Sequence, residues 1–417
     1  MKKLLSILGS ASIVISSGTY VVSCNPNKDT INILFVPSQN STEIISTVKP
    51  LEEKLANELS KIAQADNRTS TKRVKISTST NYEVAGKTLQ DGKAHLAFLP
   101  VNTYTKYRGT EKDGVFDKQG ILLNASRAGA KPETSFEKFQ DDSGKFSSEL
   151  AMEKVTLETS LELSKHYNEM VKDNIDELKT QEKAKGLLLD QENEASYYRS
   201  YIYANNKFLS ENNFNIDSFE GSASYHEALK ELILKGTKDK KFQFTFGASK
   251  TSSSGVLYPM LWLQDVLEIG DNELKDLWQN KHEQSSYPQA SQEVSSGTAN
   301  YAVGFSDIRM ESKISSDVEN GFKNTTIIGA TDPIVNDLIA YSKKTIKDET
   351  FKDDLRTAFK NLIKDKENAS IFEIYNHTGY VGPSSKENSF DFELATDKSI
   401  TQTTNATQTL LDKMKNW

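Results

Sequence analysis

The sequence predicts a mixed α/β protein, in which buried strands alternate with amphipathic helices along a chain of 417 residues. Short apolar runs rich in β-branched residues recur along the chain and are bounded by turn residues, as expected for strands. Segments with apolar residues at three- and four-residue spacing follow several of these runs, as expected for helices. Strands and helices that alternate in this way are typical of a mostly parallel sheet covered by helices.

The first part of the chain reads as strand, helix, strand, helix, strand. Apolar or alternating runs predict strands at 31–36, 74–78 and 94–99. Between the first two strands, apolar residues over 44–59 recur at helical spacing, and a second helix is predicted over 84–89. This order predicts that one parallel sheet is built from the N-terminal part of the chain.

Residues 131–194 interrupt the regular order. The segment is rich in Glu, Lys and Asp, and its apolar residues lie among the charges at near-helical intervals, at Leu150, Val155, Leu161, Met170, Ile175 and Leu178. The pattern predicts one or two exposed helices inserted into the α/β body. Such an insertion is either a solvated helical segment without a function or a docking arm for a partner.

The alternating order resumes in the second half of the chain. Apolar runs predict further strands at 197–204, 242–247, 301–305, 325–329 and 338–341. Helical spacing predicts helices near 225–234, 256–267 and 349–364. From about residue 387 the chain is polar and rich in Thr, which predicts a partly loose end.

The length and charge of the chain limit the classes of function. A chain of 417 residues is long enough for two domains or for one bilobed domain with an insertion. Its net charge of −7 argues against binding nucleic acid through phosphate neutralisation. A small anionic ligand remains compatible with this charge, because a local site can be positive within an acidic surface.

The N-terminus has the pattern of a secretory signal with a lipid anchor. Lys2 and Lys3 precede an apolar stretch over 4–15, which is too short to span a bilayer. The ending Val-Val-Ser-Cys over 21–24 resembles a bacterial lipobox and contains Cys24, the only cysteine. We therefore expect a signal peptide over residues 1 to 23, lipidation of Cys24, and a polar tether up to residue 30. An ordinary signal peptide that ends near a cysteine by chance is the alternative.

A hydroxyl-rich loop lies between the strand predicted at 242–247 and the helix predicted after it. Ser252, Ser253 and Ser254 follow Thr251 and precede Gly255. Hydroxyl groups and free backbone N–H groups at a helix start suit an oxyanion, and glycine allows close backbone approach. Ser and Thr are also ordinary helix caps, so a plain cap and loop is the other interpretation. The loop lacks the Gly-Lys-Ser/Thr ending of a P-loop.

The sequence contains no recognisable catalytic or metal-binding motif. There is no His-Glu-x-x-His and no Gly-x-Ser-x-Gly, and the five histidines are scattered. With no cysteine besides Cys24, there is no Cys/His metal cluster either. We therefore expect no enzymatic activity, no metal and no cofactor, which disfavours a surface hydrolase.

Several segments, taken in order, resemble the PhnD-like family of phosphonate- and phosphite-binding proteins of ABC importers. They are the segments at 33–38, 89–104, 198–200, 252–259 and 332–337. The resemblance covers about 31–107 and 197–364. Residues 131–194 are extra to the family pattern.

The resemblance implies a two-lobed type II periplasmic-binding-protein fold, with mixed sheets flanked by helices. One lobe would comprise 31–125 together with 325–417, and the other would comprise 197–323. Residues 131–194 would form a helical insertion. In this fold the two lobes close on the ligand like a hinged trap.

The resemblance also implies a set of ligand-binding residues. These residues are Tyr82, Tyr104, Ser252, Ser253, Ser254, Tyr287 and Asp337. The three serines match the serine-rich loop of the family, and Tyr82 and Tyr104 match its two pocket tyrosines. Asp337 matches its carboxylate, and Tyr287 stands at the position of its histidine. Two departures affect the site: Val335 replaces a family proline, and Tyr287 replaces the histidine and carries no positive charge near neutral pH. Asp337 repels an anion unless the ligand carries a proton or an amine at that point, so it would select protonated phosphite, phosphonate or an aminoalkyl group.

The expected partners follow from the resemblance. They are a small phosphorus-containing anion, an ABC permease with its ATPase, and the membrane through the lipid anchor, with the protein a monomer on the extracytoplasmic face of the cell membrane. One alternative ligand is a larger phosphate ester, such as a thiamine phosphate or nucleotide derivative, stacked on the site tyrosines. Another alternative is a surface adhesin that uses the helical insertion as its contact.

Overall fold

The structure is a computed structural model that describes residues 29–36, 41–239 and 243–417. Everything up to residue 28 lies outside the described residues, including the predicted signal peptide and Cys24. None of the helices within these ranges is both long and apolar enough to cross a membrane. Lipidation of Cys24 therefore stays a prediction.

The described chain contains many short strands and helices. The strands are β1 (Thr30–Phe35), β2 (Arg73–Thr78), β3 (Leu96–Leu99), β4 (Glu111–Lys112), β5 (Val115–Phe116), β6 (Gln119–Ala130), β7 (Leu189–Ala195), β8 (Tyr197–Tyr198), β9 (Ser200–Asn205), β10 (Phe244–Gly247), β11 (His282–Gln284), β12 (Tyr301–Phe305), β13 (Thr325–Ala330), β14 (Ile334–Val335), β15 (Leu338–Ser342) and β16 (Gly379–Val381). The helices are α1 (Ser41–Val48), α2 (Leu51–Ala65), α3 (Tyr82–Gln90), α4 (Val101–Tyr107), α5 (Lys131–Thr134), α6 (Ser148–Ala151), α7 (Leu157–Asp173), α8 (Gln181–Leu188), α9 (Asn206–Glu211), α10 (Ser222–Asp239), α11 (Tyr258–Leu261), α12 (Asp271–Gln279), α13 (Tyr287–Ser296), α14 (Ser315–Asn324), α15 (Glu349–Lys364), α16 (Ala369–Phe372) and α17 (Ser389–Met414). Turns of π-helix at Ser253–Leu257 and Trp262–Val266 flank α11.

The strands form two mixed sheets. In the first sheet the order is β16-β6-β15-β3-β1-β2, with β7 paired to the far end of β6. Strand β1 runs parallel to β2 and β3, whereas β15 and β16 run antiparallel to their neighbours. In the second sheet the order is β11-β10-β12-β9-β13, with β10 parallel to β11 and β12. The predicted mixed α/β class with helix-flanked sheets is therefore confirmed.

Local sequence explains where the first elements begin and end. In β1 and β2 the partners Ile31↔Val74 and Ile33↔Ile76 are buried on one face of the sheet. The helix predicted over 44–59 is two helices, because Pro50 is the N-cap of α2 and its ring disfavours continuation from α1. The buried face of α2 then covers this end of the first sheet.

The two lobes, called here the first half and the second half, are each built on one of the two sheets, and the boundary between them differs from the prediction. Strand β13, predicted to belong with the first half, pairs antiparallel with β9 in the second sheet, from Thr325↔Asn205 onwards. The chain returns to the first sheet only after Ala330, and it enters β15 at Leu338. Apolar strand sequences do not specify their partners, so the sequence located β13 but not its sheet.

The segment over 131–194 is part of the body rather than an exposed excursion, contrary to the prediction. Helix α7 lies against β13 and buries Leu163 and Tyr167. The Tyr167 hydroxyl donates to Asp307 Oδ2 at 2.8 Å, and strand β7 extends the first sheet. The charged residues that suggested exposure occupy the outer face of an amphipathic helix.

The C-terminal end is an ordered helix rather than a loose tail. Helix α17 contacts the first half through Tyr104 and Arg108, which both donate to Asp397 Oδ1, at 2.9 and 3.0 Å. Its last turns pack against the core of the second half through Leu410 and Met414. The sequence pattern missed this helix because its buried stripe includes polar side chains, among them Asp397, Thr404 and Thr407.

Candidate ligand-binding site

The hydroxyl loop connects β10 to the helical segment over 253–266. Ser252 caps this helix, and its hydroxyl oxygen accepts from the Gly255 N–H at 3.2 Å. The three serines are buried, with Ser253 only 1% exposed. A Cβ atom at Gly255 would lie 2.7 Å from Ser252 Oγ, so only glycine allows this tight start. The loop is therefore built as an inward-facing helix start.

Each serine hydroxyl has a hydrogen-bond partner in the protein, and two of the three accept from that partner. Ser253 Oγ accepts from Asn102 Nδ2 at 2.9 Å, and Ser252 Oγ accepts from the Gly255 N–H. Ser254 Oγ lies 2.9 Å from the Tyr287 hydroxyl, so either oxygen can donate onwards. An oxygen that already accepts a hydrogen bond can donate with its own O–H. Together with first-turn N–H groups that have no helical partner, the loop forms a cluster of donors.

The serines face a small cavity between the two sheets. Its volume is about 20 Å³, and it is lined by Val36, Tyr82, Pro100, Arg127, Tyr198, Ser252, Ser253, Ser254, Tyr287, Phe305, Asp337, Ile374 and Tyr375. Six of the seven residues predicted from the sequence are among them. This volume holds roughly one water-sized group, so the cavity fits no more than a small head group as it stands.

Hydrogen bonds across the cavity hold the two halves together. The hydroxyls of Thr103 on α4 and Thr251 on the loop are 3.1 Å apart. The backbone N–H of Tyr82 donates to Ser249 Oγ at 3.1 Å. These contacts join helix starts above the first sheet to the loop of the second sheet. The two halves are therefore in direct contact beside the cavity.

Arg127 is the site residue that the sequence prediction missed. Its Nη2 donates to Asp337 Oδ2 at 2.8 Å, and its guanidinium lies over the rings of Tyr198 and Phe305, at 4.6 and 4.8 Å from their centroids. Its Nε and Nη1 atoms are buried without a hydrogen-bond partner. Among the residues that line the cavity, Arg127 is the one cation. The available signal was a lone charge in the otherwise uncharged strand β6.

Asp337 is held as a carboxylate by its neighbours. Burial acts to raise its pKa, but the Arg127 guanidinium and His377 outweigh burial and hold the pKa below its usual range. His377 Nε2 lies 4.0 Å from Asp337 Oδ2, and burial lowers the pKa of His377 itself. The ion pair is therefore neutral as a whole at neutral pH, and Asp337 does not present an uncompensated charge to the cavity.

The tyrosines of the site remain protonated hydrogen-bonding groups. Burial raises the pKa of Tyr82, Tyr198 and Tyr287. Tyr287, the position at which the resemblance implied a family histidine, lines the cavity and contacts Ser254. A site with these tyrosines offers neutral O–H donors and aromatic faces rather than further positive charge.

Tyr104 is the predicted site residue that does not line the cavity. It is buried on α4, and its hydroxyl donates to Asp397 on α17. Asn102, near the start of the same helix, is the residue that contacts the serine loop. The prediction chose a residue on the correct helix, α4. The side chain at position 104, however, lies on the face of α4 that contacts α17.

A family model matches the chain over residues 177–388, just over half of its length. The family is described as the periplasmic substrate-binding protein of phosphonate ABC transporters. The match begins within the segment over 131–194, so the end of that segment is not extra to the family pattern. No curated protein sequence matches the chain.

Solved structures with low sequence identity share the fold. PhnD1 from Prochlorococcus marinus, in complex with methylphosphonate, is 15% identical to this chain with a TM-score of 0.51. The match covers 91% of this chain and 100% of PhnD1. A binding protein of an ABC phosphonate transporter from Pseudomonas aeruginosa is 12% identical, with a TM-score of 0.50 and coverage of 93% of this chain and 100% of its own. Mh-p37 from Mycoplasma hyorhinis, a putative thiamine pyrophosphate transporter, is 12% identical, with a TM-score of 0.57 and coverage of 88% and 98%. These likenesses confirm the two-lobed type II periplasmic-binding-protein fold.

Proposed function

Because this chain belongs to the family of periplasmic substrate-binding proteins of phosphonate ABC transporters, we propose that it captures a small phosphorus oxyanion or organophosphonate and delivers it to a permease. The observation that carries the proposal is the convergence of three serine hydroxyls and the Arg127 guanidinium on one closed cavity. A tetrahedral anion presents several acceptor oxygens at once, and it is well served by donors from several directions. Hydrogen bonds to a charged acceptor are the strong kind.

Each side chain has a separate part in this proposal. Ser252, Ser253 and Ser254 donate to the phosphoryl oxygens, and the N–H groups of the helix start support them. Arg127 supplies the positive charge, and Asp337 holds the guanidinium in place through the 2.8 Å contact. No bond is made or broken, because binding and release are the whole reaction.

Capture follows from the closed arrangement of the two halves. With the ligand bound, the hydrogen bonds from Asn102 and Thr103 to the loop of the second half stabilise the closed form. The permease would recognise that form and release the ligand as the halves separate. We further propose that lipidated Cys24 anchors the monomer at the extracytoplasmic face of the membrane, close to the permease and its ATPase.

Titration calorimetry of the chain without its signal peptide tests the proposal directly. The ligands are methylphosphonate, phosphite and phosphate, with acetate as an anion that lacks tetrahedral oxygens. We expect at least one phosphorus oxyanion to bind with a Kd of roughly micromolar or tighter, near −8 kcal/mol, and acetate not to bind. Absence of binding by all three phosphorus oxyanions would contradict the proposal.

Replacing Ser253 with alanine is expected to weaken oxyanion binding by about 1.5–3 kcal/mol, because the lost hydroxyl donates to a charged acceptor. Calorimetry on the variant measures the change. The control is Ser224→Ala, an exposed serine on α10, which is expected to bind as the wild type does. Equal affinity of Ser253→Ala and wild type would remove the loop from the ligand site.

A further inference from the structure

Helix α17 holds the serine loop from outside the cavity. The structure describes the whole of this helix, and none of its residues lines the cavity. Lys250, just ahead of the three serines, donates from Nζ to the Met414 carbonyl of α17 at 2.7 Å. Tyr258, which directly follows the π-helical turn of the loop, donates from its hydroxyl to the Thr403 carbonyl at 3.2 Å. Helix α17 therefore contacts the chain on both sides of the serines.

A third contact connects α17 to Ser253 through Asn102. The Thr407 hydroxyl on α17 donates to Asn102 Oδ1, and Asn102 Nδ2 donates to Ser253 Oγ at 2.9 Å. Gln408 Nε2 on α17 also donates to Asn102 Oδ1, at 3.4 Å. Asn102, Thr407 and Ser253 are all buried. A series of hydrogen bonds therefore runs from α17, through the start of α4, to the centre of the serine loop.

The orientation of the Asn102 amide decides where the Ser253 proton is directed. An asparagine amide accepts with its oxygen and donates with its nitrogen. With the nitrogen towards Ser253, as observed, Ser253 Oγ accepts and its own proton is left for a ligand. If the amide were turned over, its oxygen would accept that proton instead. An anion needs donors, so only the observed orientation of Asn102 lets Ser253 bind one.

The Thr407 hydroxyl favours this orientation of the amide. Its single proton has two acceptors within reach, namely Asn102 Oδ1 and the Thr404 carbonyl at 2.7 Å, which is a common partner for a threonine within a helix. Leaving a buried carbonyl oxygen without a donor is unfavourable. Donation by Thr407 to Asn102 Oδ1 therefore keeps the oxygen of the amide on the α17 side and the nitrogen on the Ser253 side.

We infer that Thr407 is a positioning residue for the oxyanion site, because its hydroxyl fixes the Asn102 amide so that Ser253 donates to the ligand. Thr407 does not line the cavity, so it acts through Asn102 and not by touching the ligand. The inference rests on the proposed function and adds to it a residue of the C-terminal helix.

The variant Thr407→Val tests the inference, since it removes the hydroxyl and keeps the branched shape and a similar helix propensity. Without this donor, the Asn102 oxygen is expected to turn towards Ser253 and accept its proton. We expect binding of a phosphorus oxyanion to weaken by about ten-fold, as for loss of one hydrogen bond to a charged acceptor. Thr407→Ser keeps the hydroxyl and is expected to bind within about three-fold of the wild type.

The matched control is Thr404→Val, one turn earlier on α17 and equally buried. The Thr404 hydroxyl donates to the Ile400 carbonyl at 2.7 Å and lies 3.4 Å from the Thr105 hydroxyl of α4. The control therefore removes a buried threonine hydroxyl between the same two helices without touching Asn102. We expect it to bind the oxyanion as the wild type does.

A double variant distinguishes positioning from a general structural defect. Thr407→Val/Ser253→Ala is expected to bind no more weakly than Ser253→Ala alone, because the hydroxyl that Thr407 directs is then absent. A structural defect would instead add its own loss to that of Ser253→Ala. Calorimetry with methylphosphonate, phosphite and phosphate measures the affinities, and urea unfolding checks that each variant is folded. If Thr407→Val does not fold, Thr407→Ala removes the same hydroxyl and is compared with Thr407→Ser in the same way.

Three results would overturn the inference: wild-type affinity of Thr407→Val, equal losses in Thr407→Val and Thr407→Ser, or additive losses in the double variant. Each of them leaves the proposed function standing, because the wild type still binds the oxyanion. Absence of binding by the wild type to all three probes overturns both.

Discussion

Arg127→Met is expected to abolish oxyanion binding and to lower the free energy of unfolding by about 3–5 kcal/mol. The binding effect follows because the variant removes the one cation that lines the cavity. The stability effect follows because Asp337 then remains buried as a carboxylate without its 2.8 Å partner. Methionine keeps much of the volume between Tyr198 and Phe305, so the loss is electrostatic rather than a packing defect. Urea unfolding and calorimetry measure the two effects separately.

A double variant separates the structural part of Arg127 from its part in binding. Arg127→Met/Asp337→Asn removes both charges, so it is expected to recover most of the lost stability without recovering binding. Arg73→Met, at an exposed position of β2, is the control and is expected to match the wild type in both measurements. Oxyanion binding by the double variant would show that the guanidinium is not the anion partner.

The sequence predicted the strands and helices of this fold better than it predicted which of them pair or pack with one another. Strand β12 was predicted with its observed bounds, because a short apolar run is a local property. The sheet to which β13 belongs was not predicted, because strand pairing is decided by contacts distant in the sequence. Residues 131–194 were expected to be exposed, because periodicity gives the polar face of a helix but not what covers its apolar face.

The site, too, contains residues that the sequence predicted and one, Arg127, that it did not. The serine loop, Tyr82, Tyr287 and Asp337 were predicted at element ends that the family resemblance aligned, and they line one cavity. Their part in ligand binding stays a prediction. Arg127 was missed because its position depends on β6, which pairs with β15 at one end and β7 at the other. No motif in the sequence indicates that β6 pairs with both of these strands. The charge partner of a buried carboxylate is a property of the tertiary structure.

The attachment of α17 leads to the second large effect. Arg108 on the first half is 4% exposed, and its Nη1 donates to Asp397 Oδ1 at 3.0 Å. Its Nη2 donates to Thr401 at 2.8 Å. Arg108→Met leaves the Asp397 carboxylate buried with Tyr104 as its remaining donor. We expect the free energy of unfolding to fall by about 3–5 kcal/mol near neutral pH.

The pH dependence of this loss identifies its cause. Burial outweighs the bonds from Tyr104 and Arg108 and raises the pKa of Asp397 to about 6. An aspartate whose pKa is raised in the folded state contributes stability when it is protonated. That contribution is fully present below the unfolded pKa of about 4, and it is lost as pH rises through the folded pKa. Without Arg108 the folded pKa is expected to rise further, so the variant loses stability over a wider pH range than the wild type. The difference between them should therefore be smaller at pH 5 than at pH 7.5 in urea unfolding. Lys106→Met, an exposed control on α4, should show no difference at either pH, and an equal loss for Arg108→Met at both pH values would mean that packing rather than charge fastens α17.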